Sequence, residues 1–100
     1  MIIRFKTKKL ENCYLEHRQA QKAWGEKIAR KYIQRINLIK ATSSLEEVKK
    51  LPGLRCHPLK GHREGQYAVN LNGLYRLIFT VEGEALEVAL IEEVSKHYDD

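Results

Sequence analysis

The apolar positions of this chain follow a helical period first and a strand period afterwards. Leu10, Tyr14 and Leu15 recur at helical spacing from Thr7 to about His17, with Thr7 as an acceptable N-cap. A longer helix is predicted over residues 20–40. Ala29, Tyr32, Ile33, Ile36 and Ile39 form its apolar stripe, and Lys27, Arg30, Lys31 and Gln34 lie towards the other side. Gly25 sits early in that helix and weakens it by about 1 kcal/mol relative to Ala. Residues 41–44 break the pattern. Ser44-Leu45-Glu46-Glu47 then has capping-box spacing and opens a short helical turn to about Lys50. Residues 1–5, apolar and partly β-branched, read as an edge strand.

Pro52-Gly53 ends the helical half, residues 54–58 read as a short strand, and residues 61–65 read as a polar loop. Asn72-Gly73, flanked by alternating apolar residues, predicts a two-residue type I′ hairpin. In that register Leu71 pairs with Leu74, Val69 with Arg76 and Tyr67 with Ile78. One face then presents Arg76 among Tyr67, Val69 and Ile78. The other holds Ala68, Asn70, Tyr75, Leu77 and Phe79 for packing on helices. A mid-strand cation needs a partner or water, so the Arg76 face is expected to be open. Glu82-Gly83-Glu84 turns the chain into a last strand over residues 85–94. An even loop there puts Leu86, Val88 and Leu90 on the core face. Glu87, Ala89, Ile91 and Glu93, with His97 beyond them, then join Arg76; a three-residue turn or a bulge would reverse this parity.

This order predicts one α+β domain over residues 1–100. It is a small, mostly antiparallel twisted sheet with two N-terminal helices packed on one face, and with the opposite face concave, basic and polar.

Charge adds a direction. Residues 1–80 carry 17 Lys and Arg against 6 Asp and Glu, a net +11, whereas residues 81–100 carry 1 against 7, a net −6. A basic body suits a polyanionic partner such as nucleic acid, a membrane surface or the ribosome, or else is simply a solvated surface. No run approaches the ~20 apolar residues of a membrane span. The first ten residues lack the long apolar stretch of a signal peptide, so a reduced, cytosolic chain is expected, with Cys13 and Cys56 unpaired. Cys13 and His17 lie one helical turn apart and Cys56 and His57 are adjacent. No Cys-x-x-Cys or repeated ligand pair accompanies them, so neither a metal nor a cofactor is expected.

The densest polar set is Arg55, His57, Lys60, His62 and Arg63, which fall within nine residues. His57 could be a surface histidine, and Lys60 and Arg63 ordinary loop charges. His62 reads as a plain loop residue, while Arg76 could pair with Glu87 or Glu93 across the sheet. Trp24 and Tyr32 read as core aromatics.

The stretch over residues 51–79, L-P-G-L-R-C-H-P-L-K-G-H-R-E-G-Q-Y-A-V-N-L-N-G-L-Y-R-L-I-F, is followed by an acidic strand and a terminal His97-Tyr98. It resembles the HigB-like, plasmid-maintenance killer branch of the RelE/ParE toxin superfamily. The resemblance spans nearly the whole chain and is most specific in these residues. It implies a bacterial, cytoplasmic toxin of a type II toxin–antitoxin pair. Such a toxin would be an endoribonuclease that cuts mRNA in the ribosomal A site, neutralised by a helix-turn-helix, HigA-like antitoxin.

By the same resemblance, His57 occupies the place of a catalytic-region histidine, Lys60 follows it, and Arg76 matches the strand arginine of the active site. His97 and Tyr98 fall in the catalytic tail, His97 for proton transfer and Tyr98 for orienting or stacking on a base. Familiar members end in Asp-Tyr-His, and this chain instead reads Lys96-His97-Tyr98-Asp99, so the tail order is changed. Metal-free RNA cleavage by the 2′-hydroxyl needs a base, an acid and cations for the transition-state charge, which histidine, lysine and arginine supply. Arg63, Lys6, Lys8, Lys9, Lys27, Arg30 and Lys31 are candidates for RNA backbone contacts, those of the helices to ribosomal RNA. Two other outcomes fit the same fold: a ParE-like poison of DNA gyrase without nuclease activity, and an inactive RNA- or protein-binding module.

Overall fold

The computed structural model describes residues 1–83 and 85–96. Strand β1 (Ile2–Phe5) leads into four helices: α1 (Lys8–Leu15), α2 (His17–Trp24), α3 (Glu26–Ala41) and α4 (Leu45–Lys50). Then come β2 (His57–Pro58), a 3-10 turn (Gly61–Arg63), β3 (Tyr67–Asn70), β4 (Tyr75–Glu82) and β5 (Val88–Lys96). The strands form one sheet in the order β1-β5-β4-β3-β2. All pairs are antiparallel except β1–β5, so β1 is an edge strand, as expected, but a parallel one.

The caps read from the sequence are in place. Thr7 Oγ1 accepts the Leu10 amide at 3.2 Å. Ser44 Oγ accepts the Glu47 amide at 3.3 Å, while the Glu47 carboxylate reaches back to the Ser43 amide at 2.7 Å. The helix boundaries differ from expectation. The predicted helix over residues 20–40 is two helices, α2 and α3, parted at Gly25, whose φ of 86° no helix interior adopts. Residue 25 is therefore a corner, and its lack of a side chain is what allows it. The bend lets α2 fold back on α3 and places Trp24 against Tyr32, with ring centroids 4.7 Å apart. Tyr32 is fully buried and donates its hydroxyl to the Leu10 carbonyl at 2.7 Å, which ties α3 to α1. Burial pushes its phenol far above the ordinary range.

One buried cluster joins Leu10, Cys13, Ala29, Tyr32, Ile36 and Ile39 of the helices to Val69, Leu71, Leu77, Phe79, Ala89 and Ile91 of the sheet. That cluster corrects the predicted hairpin register. The observed pairs are Tyr67–Phe79, Ala68–Ile78, Val69–Leu77 and Asn70–Arg76, closed by a three-residue loop, Asn72-Gly73-Leu74. A two-residue loop would turn Val69 and Leu71 away from the face that buries Leu77 and Phe79. Burying a Val or Leu side chain is worth roughly 1.5–3 kcal/mol, so two of them outweigh a local turn preference. Tyr67 and Val69 thus face the helices, and Arg76 shares its face with Ala68 and Asn70.

Parity along β5 is corrected in the same way. Ala89 and Ile91 lie in the core opposite Val81 and Phe79, and Val88 and Leu90 lie on the other face. The register then shifts between Ile78 and Phe79, leaving Glu92 as an extra residue. This bulge returns Glu93 to the face of Arg76, where the sequence placed it. Nor is that outer face fully open. Leu59 folds over it and packs with Ala68 and Ile78 in a second small cluster, which pins the 57–66 loop onto the sheet.

Candidate active site

Pairing arranges the outer face in rows. His57, Ala68, Ile78 and Glu93 make one cross-strand row, and Asn70, Arg76 and Ser95 make the next. Ala68, next to His57 in the first row, is covered by Leu59. Two clefts lie beside these rows, and His57 and Arg76 line both. One, of about 590 Å³, is walled by the pinned loop with Leu59, Lys60, His62 and Arg63. The other, of about 300 Å³, runs toward the hairpin past Arg55, Asn70, Leu74 and Tyr75. The structure therefore gathers His57, Lys60 and Arg76 around one surface, although 15 residues part Lys60 from Arg76 in the sequence.

His57 is exposed, and its Nδ1 lies 2.8 Å from the Arg55 carbonyl. A carbonyl oxygen can only accept, so Nδ1 carries the hydrogen in this contact. In the neutral ring Nε2 then holds the lone pair, which leaves that nitrogen to take up a proton. Lys60 is exposed at the start of the 3-10 turn, and Arg76 is half-buried at the start of β4.

Arg63 has a structural task. It donates to Gln66 Oε1 at 3.0 Å and to Glu93 Oε1 at 2.9 Å, bracing the loop against β5. Of the two carboxylates considered as partners for Arg76, Glu93 thus serves Arg63. Glu87 accepts the Leu45 amide at 2.6 Å and caps α4. His97 and Tyr98, expected in the catalytic tail, lie outside the described residues.

The remaining basic candidates separate into two places. Lys27, Arg30 and Lys31 surround Asn72 at the tip of the hairpin, next to the smaller cleft. Lys8 and Lys9 line a groove between α1 and α2 with Lys22, and Lys6 lies at the β1 edge, across the sheet from β2. Among the described residues three of these cations are ion-paired: Lys6 with Glu92 at 3.3 Å, Lys8 with Glu11 at 3.1 Å, and Arg30 with Glu26 at 3.0 Å.

Two residues beyond the expected set shape the site. Arg55 lines the smaller cleft in a left-handed conformation, φ 52°, and is the one non-glycine with positive φ among the described residues. For an L-residue this costs about 1–2 kcal/mol. Arg35 is buried at 8 % exposure and holds the Asn70 carbonyl. Arg55 had a sequence signal, since it opens the dense polar set between the apolar Leu54 and Cys56. Arg35 had none, because an arginine on a basic helix looks like its solvated neighbours.

Among the described residues no three His, Cys, Asp or Glu side chains gather at metal-binding distance. The half-buried Cys56 thiol is pushed up to about 11 by burial, which makes it a poor nucleophile at neutral pH. Among the described residues no helix is long and apolar enough to cross a membrane.

In fold the chain is similar to the YoeB/ParE toxin from Agrobacterium tumefaciens, with a TM-score of 0.60 at 15% identity, covering 98% of this chain and 100% of that one. It is similar to YafQ from E. coli strain BL21(DE3), with a TM-score of 0.58 at 19% identity over 94% and 90% of the two chains. The YoeB-YefM complex from Staphylococcus aureus gives a TM-score of 0.56 at 20% identity over 98% of each chain. No curated protein matches the sequence significantly. Residues 3–92 match the HigB-like toxin family, described as the RelE-like toxin of type II toxin-antitoxin system HigB. With 90 of its 100 residues inside that match, the chain belongs to the HigB-like family of RelE-like toxins from type II toxin–antitoxin systems.

Proposed function

We propose that this toxin is a ribosome-dependent endoribonuclease that cuts mRNA in the A site and so inhibits translation. The observation that carries the proposal is the joint exposure of His57 and Arg76 to both clefts, with Lys60 alongside. His57 Nε2 takes the proton of a ribose 2′-hydroxyl, whose oxygen attacks the adjacent phosphorus. Arg76 and Lys60 hold the charge that accumulates on the phosphoryl oxygens. The 5′-oxygen leaves with a proton from the C-terminal tail, for which His97 is the candidate acid, with Tyr98 stacking on a base. The products are a 2′,3′-cyclic phosphate and a 5′-hydroxyl end, and no metal or cofactor takes part.

A shallow surface of this kind cannot enclose its substrate. The small ribosomal subunit would position the mRNA, with the exposed basic residues of α1 and α3 touching ribosomal RNA. Residues 1–100 act as one toxin domain in the bacterial cytoplasm. An antitoxin partner comes with the family, and we assign it to the helix-turn-helix, HigA-like kind.

The test is primer extension on a short mRNA in a purified translation system, with wild-type protein and Arg76→Ala. Cuts within A-site codons that vanish in the variant support the proposal. Absence of cuts, together with arrested supercoiling by DNA gyrase, would replace it with the gyrase-poison reading.

A further inference from the structure

The cleavage chemistry leaves one cation of the cleft without a task. We propose that Arg55 is a second phosphate-binding residue, which grips the RNA backbone at a phosphate neighbouring the one held by Arg76. The proposal takes its substrate class from the nuclease reading and its location from the cleft alone.

Four observations converge on Arg55. It lines the smaller cleft together with His57 and Arg76, so a strand lying across those two residues must pass it. Its neighbours on either side are anchored: Leu54 is buried at 1 % exposure and Cys56 packs against the core. Between these anchors the left-handed turn at residue 55 interrupts the β2–β3 ladder. The Asn70 amide, which a regular register would pair with residue 55, donates instead to the Leu54 carbonyl at 2.7 Å. Finally, among the described residues no hydrogen bond or ion pair engages the Arg55 guanidinium, in contrast to the tethered Arg63.

Backbone physics makes a purely structural role unpersuasive. Glycine adopts φ 52° without penalty and would offer His57 the same carbonyl. What arginine alone adds is a planar, always-charged fork suited to phosphate oxygens. A cleft lined by two arginines favours a polyanion over a neutral ligand.

The deciding experiment uses a short, fully 2′-O-methylated oligoribonucleotide, which cannot be cut, and fluorescence anisotropy across a salt series. Arg55→Gly should melt no lower than wild type, since it relieves the left-handed strain. It should bind the probe about five- to tenfold more weakly, with a salt slope smaller by about 0.7, the value of one single-strand phosphate contact. Arg55→Lys should keep the salt slope and lose part of the affinity. Equal affinity and slope for wild type and Arg55→Gly would overturn the proposal, as would a wild type that does not bind the probe. Wild-type binding with the predicted Arg55→Gly loss, but without A-site cuts in programmed ribosomes, would uphold Arg55 and sink the nuclease assignment instead.

Discussion

Arg35 Nε donates to the main-chain carbonyl of Asn70 at 3.0 Å, and Asn70 is the residue directly opposite Arg76. The middle of α3 therefore holds the end of the hairpin that carries the central cation of the cleft. Desolvation lowers the Arg35 guanidinium from its ordinary range. The same burial strengthens its hydrogen bond by excluding competing water.

Arg35→Met should accordingly destabilise the fold by about 2 kcal/mol, the range for a hydrogen bond from a charged donor. Urea unfolding measures this. Hydrogen exchange should quicken at the Leu71 amide, which closes the hairpin on the Tyr75 carbonyl. A variant as stable and as protected as wild type would show that Arg35 does not brace the hairpin.

His57→Ala is expected to separate stability from activity. The side chain is exposed, so the melting temperature should stay close to wild type. Under the proposed chemistry, loss of His57 should slow A-site cleavage by roughly 10²–10⁴-fold. The 15N shifts of the His57 ring should independently identify the Nδ1–H form in the neutral state, because the Arg55 carbonyl can only accept. A ring found with hydrogen on Nε2 would remove it as the base.

Gly25→Ala tests the corner between α2 and α3. Inside a continuous helix this substitution would stabilise by about 1 kcal/mol. At φ 86° it should instead destabilise by about 1–2 kcal/mol, because the added Cβ clashes with its own backbone. The sign of the shift in denaturation midpoint decides between the two geometries.

Acid should loosen that same corner. Glu26 meets Arg30 at 3.0 Å and His17 at 2.8 Å and accepts from Gln21 at 2.8 Å. Its carboxyl is held below the ordinary value of 4.5, mainly by the Arg30 hydrogen bond. A depressed folded-state value means that its stabilisation is present above pH 4.5 and is lost as the pH falls through the lower folded value. Glu26→Gln should therefore narrow the drop in melting temperature between pH 6 and pH 3. An unchanged pH slope would show that the cluster is inert.

The elements themselves were largely legible in the chain. Thr7 and Ser44 marked two helix starts correctly because capping is a contact within one turn, which neighbouring residues settle among themselves. The Tyr32-Ile36-Ile39 stripe faced the core because its spacing permits nothing else. The polar set around His57 also stood out, since five polar side chains crowd nine residues.

Register and partnership were not legible. Asn72-Gly73 favours a two-residue turn locally, yet the chain forms a three-residue loop because Val69 and Leu71 are needed beside Leu77 and Phe79. Along β5 the bulge at Glu92 switches faces within one strand, which no alternation rule predicts. Arg63, Arg76 and Arg35 look alike as letters. One is ion-paired in the loop, one lines the clefts, and one is buried under the hairpin. The sequence by itself determined element types, caps and the supply of cations, because these rest on contacts within a few residues. Only the tertiary structure decided which cations meet His57, because strand register follows the burial of side chains far apart in the chain.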